Sequence, residues 1–107
     1  MTTTIPGLDN ARVVVVLFTL EGCPACAEFK PRFRRLAEAY SQYMPIIMAD
    51  ANDPRFTGLA DRLQVREVPA TFALRRPSGA LRILGNVPDT HVRHLLDIAA
   101  HEALYGR

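Results

Sequence analysis

The chain has 107 residues, 49% of them hydrophobic and 22% charged, which is enough apolar mass for one core and too little for two, so a single domain over 1–107 is expected. A net charge of +2 falls well short of what a nucleic acid or an acidic lipid surface demands, and neither is expected as a partner. Two cysteines cannot form a structural disulfide framework, and the apolar run at 13–20 is too short for a bilayer and lacks the flanks of an export signal, so a reducing cytoplasm is the expected compartment.

In chain order, Val13 to Thr19 is a continuous apolar, largely β-branched run that predicts a buried strand. Glu21-Gly22 breaks it, and a helical pattern starts directly after Cys23. Phe29, Phe33, Leu36, Ala37 and Tyr40 fall four, three, one and three apart, one stripe on a helix predicted to reach about Tyr43. Pro45 to Ala49 reads as a second strand. Asp53-Pro54 pairs an N-cap residue with proline and predicts a helix with Phe56, Leu59, Ala60 and Leu63 inward. Ala70 to Leu74 and Ala80 to Leu84 are short strands joined by Pro77-Ser78-Gly79, a turn of hairpin length, so they should be antiparallel. Asp89 is expected to cap a last helix carrying Val92, Leu95, Leu96, Ala99 and Ala103, with Gly106 placed to end it. The order βαβαββα predicts an α/β fold: a mixed central sheet of about four strands with helices on both faces.

The chemistry concentrates in Cys23-Pro24-Ala25-Cys26, which holds both cysteines at a strand-to-helix junction. Pro24 suits the first helical position, where its missing amide hydrogen has no intrahelical partner, and this makes Cys23 the N-cap. Its sulfur then faces unpaired amides and the positive end of the helix dipole, which favour a thiolate over a thiol. Cys26 lies one turn further in, within disulfide reach and less exposed, so it suits attack on a mixed disulfide. A Cys-x-x-Cys can also be half a zinc site, with His91, His94 or His101 to complete it. Those histidines are assigned to a helix that the fold packs away from the dithiol, and no metal or other cofactor is expected. Lys30, Arg32, Arg34 and Arg35, with Arg75, Arg76 and Arg82, read as solvated faces of a helix and a hairpin.

Four features make the sequence resemble the thioredoxin superfamily from about Val13 to Leu104. They are the Cys-x-x-Cys after the first strand, Pro31 five residues after the second cysteine, Val68-Pro69 opening the third strand, and Gly85 following the fourth. The resemblance implies a thioredoxin-like fold and a thiol-disulfide oxidoreductase that reduces protein disulfides. Its partners would be disulfide-containing client proteins and an electron donor such as thioredoxin reductase or glutathione, and a monomer is expected. The resemblance also implies that Pro69 is cis and lies against the dithiol, and that Val68 offers its backbone to an extended substrate. Gly22, Pro24 and Ala25 complete that substrate-binding surface, and Pro31 bends the long helix.

The departures carry expectations of their own. Thioredoxins have Gly-Pro between the cysteines and a tryptophan before the first, whereas this chain has Pro24-Ala25, Gly22 and no tryptophan, so its docking surface must differ. The family's buried carboxylate falls at Leu17 and its lysine neighbour near Ile46. Resolution by Cys26 is therefore expected to be slower, or to use Glu21, Glu28 or water. Only 22 residues precede Cys23, so residues 1–12 are expected to be a reduced remnant, around Thr3 to Asn10, of the family's first strand and helix. That shortening and the proline after the first cysteine lean towards glutaredoxins, which makes a glutathione-dependent reductase one alternative. Against it, Ala25 replaces the usual aromatic and Asn86-Val87-Pro88-Asp89 is no clear glutathione signature, leaving Asp89 as the sole acidic candidate. The other alternative is a thioredoxin-fold binding module whose redox activity is secondary, although a pure adaptor has no physical need for either thiol.

Overall fold

The computed structural model describes residues 11–77 and 79–106, and the remnant expected around Thr3 to Asn10 lies outside them. Strand β1, Val13–Thr19, is buried at every position. Val13, Val15 and Leu17 face one side of the sheet while Val14, Val16 and Phe18 face the other, and both sides are covered. A strand covered on two faces needs no polar alternation, which is why its sequence is continuously apolar.

The sheet has the order β2-β1-β3-β4. β2 (Ile46–Asp50) runs parallel to β1, β3 (Ala70–Arg75) antiparallel to it, and β4 (Gly79–Leu84) antiparallel to β3. Helices α1 (Pro24–Ala37) and α3 (Asp89–Tyr105) cover one face through Phe29, Phe33, Val92, Leu96 and Ala99. Helix α2 (Thr57–Arg62) covers the other, where Phe56, Leu59 and Ala60 meet Val14, Val16 and Phe72. There Phe18 and Phe72 pack edge to face with ring centres 5.8 Å apart. The mixed four-stranded α/β architecture expected from the sequence is the one observed.

Four local expectations are corrected. The first helix leaves α geometry at Ala37 and ends in a single 3₁₀ turn, Glu38–Tyr40, because Ser41, Gln42 and Tyr43 are exposed and bring no apolar contact to extend it. β2 starts at Ile46: Pro45 has no amide to give the ladder, and its carbonyl instead accepts the Val15 N–H at 3.0 Å. Asp53 does not open α2. Its Oδ1 accepts the Arg55 N–H at 2.9 Å and its carbonyl the Phe56 N–H at 2.8 Å, so its capping capacity is spent on a turn and the helix begins at Thr57. Asp89 does not cap α3 either. Pro88 holds the N-cap position, and the Asp89 carboxylate turns to Arg32 on α1.

Arg32 is the main polar fastener between α1 and the segment leading into α3. Its guanidinium pairs with Asp89 and Glu28 and donates to Asn86 Oδ1 and, at 3.0 Å, to the Val87 carbonyl, while Asn86 donates to Glu28 at 2.7 Å. A second fastener joins the end of the helix to α3, where the Tyr40 hydroxyl donates to Asp97. That bond, followed by burial and the Asp97 charge, pushes the Tyr40 phenol up to about 12 from its ordinary value near 10.

The neutral phenol is thus favoured by folding, so its contribution is complete below about pH 10 and is lost as the pH rises through about 12. Urea unfolding of the wild type and Tyr40→Phe should give a stability difference that is constant up to mildly alkaline pH and shrinks across that window. A difference independent of pH would show that the hydroxyl does not hold this bond in solution.

Candidate active site

The turn after β1 is closed by Gly22, whose φ of +82° is a left-handed conformation that a side chain would disfavour. It delivers Cys23 to the N-cap of α1 in extended geometry, with φ −93° and ψ 110°, and Pro24 is the first helical residue as expected. The Cys23 carbonyl accepts the Ala27 N–H at 3.0 Å, the first bond of the helix, while its Sγ accepts the Cys26 N–H at 3.1 Å. Both cysteines are free thiols, Cys23 half-buried and Cys26 only 1% exposed.

The two sulfurs are held in opposite senses. The Cys23 thiol is lowered first by the hydrogen bond from the Cys26 side chain and then by the amides of Cys26 and Ala25, against an opposing effect of burial. The neighbouring thiol therefore adds to the effect of the helix amides anticipated from the sequence and is the largest single contribution. The Cys26 thiol is raised, chiefly by burial and then by its hydrogen bond and proximity to Cys23, against the Leu20 amide and the Lys30 charge. Ionisation is thus favoured at Cys23, the sulfur that solvent can reach, and disfavoured at the sealed Cys26.

Val68 and Pro69 lie against the Cys23 sulfur. The Val68-Pro69 bond is cis, Pro69 is buried, and the Cys23 Sγ lies 4.0 Å from the Val68 carbonyl as a donor. The Gly85 N–H donates to the Pro69 carbonyl at 2.8 Å, so the loop after β4 is tied to the same point. Pro24 is exposed, Gly22 is exposed and Ala25 is half-buried around the sulfur. On the far side of Val68 a cleft of about 490 Å³ opens between Leu20, Asn52, Asp61, Arg66 and Glu67.

Leu17 is fully buried and Ile46 half-buried in the apolar cluster beneath α1, so hydrocarbon occupies both positions that the resemblance aligns with the family's buried carboxylate and lysine. Glu28 is not available to Cys26: Arg32 and Asn86 occupy its carboxylate and, led by Arg32, hold it below the usual range. Asp89 is likewise paired with Arg32. Glu21 is exposed on the turn after β1 and lines a cleft of about 330 Å³ with Thr19, Lys30, Arg34, Met48 and Asp50. Lys30, which sequence reasoning placed in a solvated basic face, is half-buried and acts on Cys26. The signal for it was its place four residues after Cys26 on one helix.

The helix carrying the histidines packs beside α1 on the same sheet face, and His91, His94 and His101 turn to solvent from it. His101 lies 5.0 Å from the Tyr105 ring. Among the described residues, no group of three or more His, Cys, Asp or Glu side chains could hold a metal, and no helix is long and apolar enough to cross a membrane.

The thioredoxin family model matches residues 7–97. Solved structures with the same fold include a thioredoxin of Malassezia sympodialis, 14% identical, with a TM-score of 0.73 over 84% of this chain and 79% of that one. A thioredoxin of Plasmodium falciparum is 18% identical, with a TM-score of 0.73 and 88% of each chain covered. The germline-specific thioredoxin Deadhead of Drosophila melanogaster is 21% identical, with a TM-score of 0.70 over 83% of this chain and 82% of that one. No curated protein matches the chain in sequence.

A limiting amount of iodoacetamide at about pH 7 should alkylate Cys23 and leave Cys26 intact, as read by peptide mapping. Label arriving on Cys26 first would contradict the assignment of the charge. Gly22→Ala meets no neighbouring atom within 4 Å, so its cost should be that of the left-handed backbone alone, about 1 kcal/mol in urea unfolding.

Proposed function

The chain belongs to the thioredoxin family, and on that premise we propose that it reduces protein disulfides, with Cys23 as nucleophile and Cys26 as resolving thiol. Family membership and the adjacent cysteines support thiol-disulfide exchange at the level of the family. The observation that carries the finer reading is the unequal setting of the two sulfurs: one at the helix N-cap with its ionisation favoured and a path to solvent, the other sealed behind it.

The electron count follows from that order. The Cys23 thiolate attacks one sulfur of the client disulfide, forming a mixed disulfide and expelling the other client sulfur as a thiolate. Cys26 then loses its proton and attacks Cys23 Sγ, which forms the Cys23–Cys26 disulfide and releases the second client thiolate. Two electrons have passed to the client, and its two thiolates take up two protons. The client backbone is read as an extended strand beside Val68 and Pro69, with Gly22, Pro24 and Ala25 framing the sulfur. The cleft beyond Val68 gives room for the residues flanking the client cysteine. The oxidised form is returned by a thiol donor of the thioredoxin reductase or glutathione type, in a reducing cytoplasm.

Reduction of a model disulfide protein by the wild type, Cys23→Ser and Cys26→Ser tests this. Cys23→Ser should fall to the uncatalysed background, and Cys26→Ser should accumulate a covalent client adduct on Cys23 that a small thiol dissolves. Full turnover by Cys23→Ser, or an adduct located on Cys26 in the wild type, would overturn the assignment.

A further inference from the structure

We infer that Arg32 is a positioning residue for client binding: from the helix that carries the dithiol it holds the loop after β4 against Pro69, and so sets how well an extended protein disulfide docks beside Cys23. This rests on the exchange and the client-binding edge proposed above and assigns the residue that keeps that edge in place.

The contacts run without a break from the guanidinium to the sulfur. Arg32 lies on α1, the helix that Cys23 caps, and its Nη2 donates to the Val87 carbonyl at 3.0 Å and to Asn86 Oδ1. The Val87 N–H donates to the Gly85 carbonyl at 3.1 Å, and the Gly85 N–H donates to the Pro69 carbonyl at 2.8 Å. Pro69 follows Val68, whose carbonyl is 4.0 Å from Cys23 Sγ. One helix therefore presents the sulfur and grips the loop on the other side of it.

That loop needs a grip. Gly85 has a φ of +91° with nothing within 4 Å of where a Cβ would stand, and Asn86 is exposed, so packing does little to fix either residue. Arg32 supplies what packing does not, through a planar fork of donors shared among four groups. It donates to Glu28 at 3.2 and 3.3 Å, to Asp89, to Asn86 and to Val87. Glu28 in turn accepts from Asn86 Nδ2 at 2.7 Å, so the Asn86 amide is bound at both its oxygen and its nitrogen. The fork is itself steadied, with its central carbon 5.2 Å from the centre of the Phe29 ring, which is fully buried.

Direction matters here more than charge. A lysine at this position would keep the positive charge, but its ammonium has no fork and cannot hold the loop, Glu28 and Asp89 at once. Arg32 makes no bond to either cysteine, so its removal should leave the ionisation of Cys23 alone. The loss falls on a client that must lie along Val68 and Pro69, because an edge that has to be ordered during binding binds more weakly than one already in place. A small disulfide that meets only the sulfur has no use for the edge.

The test is single-turnover oxidation of the reduced protein by insulin, a protein disulfide, and by dithiodipyridine, a small one, for the wild type, Arg32→Met, Arg32→Lys, Asn86→Ala and Tyr40→Phe, with thermal unfolding and the thiolate titration of each. Arg32→Met should lower the second-order rate constant with insulin about five- to tenfold, while the rate constant with dithiodipyridine and the titration stay at their wild-type values. Arg32→Lys should be as slow with insulin as Arg32→Met. Asn86→Ala, a neutral change at an exposed residue, should cost about two- to threefold with insulin alone. Tyr40→Phe loosens the far end of the first helix and should leave both rate constants unchanged. A wild-type insulin rate in Arg32→Lys would assign the effect to charge, and equal losses with the two disulfides would assign it to the thiol; either would overturn the inference and leave the exchange reading intact. An unchanged insulin rate in Asn86→Ala would do the same, whether or not the Arg32 variants fold. Failure of the wild type to reduce insulin would overturn both.

Discussion

The hydrogen bonds converging on one sulfur are the constraint around which the site is organised. A half-buried thiol in apolar surroundings resists ionisation, yet Cys23 is biased the other way because its sulfur accepts from the Cys26 side chain and from backbone amides at the start of α1. Those amides are free because a helix cannot satisfy its own first turn, and Pro24 removes one competitor without costing a bond. The same contact that favours the anion on Cys23 disfavours it on Cys26. One short motif therefore sets two identical side chains apart, one favoured as the anion and the other as the thiol.

The remainder of the fold keeps that motif in place. β1 is held by partners on both sides and buried on both faces, which anchors the turn that Gly22 completes. Facing the sulfur, Val68 and Pro69 open β3, and the Pro69 carbonyl is bound by Gly85, whose neighbours Asn86 and Val87 are in turn gripped by Arg32 from α1. The helix that carries the dithiol thus also fastens the loop beside Val68 and Pro69. Loss of either connection would loosen the geometry around the sulfur without touching it.

Much of this was legible in sequence because periodicity and covalent chemistry act locally. The continuous run from Val13 announced a strand buried on both faces, the Phe29 and Phe33 spacing announced the packed side of α1, and Cys23 before Pro24 announced the cap. What could not be read were choices settled by distant partners. Asp53 and Asp89 both look like helix caps in isolation, but the first is taken by Arg55 and the second by Arg32, 57 residues away. Lys30 looks like one more cation in a basic stretch, yet it is half-buried and its charge opposes the effect of burial on the Cys26 thiol. The end of α1 was overextended for a related reason: the apolar stripe stops at Tyr40, whose hydroxyl is drawn to Asp97 on another helix.

The bias on Cys23 is open to direct observation through the ultraviolet absorbance of the thiolate in the fully reduced protein, followed across pH. The account predicts a first titration step below that of a free cysteine, absent from Cys23→Ser and still present in Cys26→Ser, though shifted upward by loss of the neighbouring thiol. A wild-type protein whose first step lies at or above the free-cysteine value, or whose first step survives in Cys23→Ser, would contradict it.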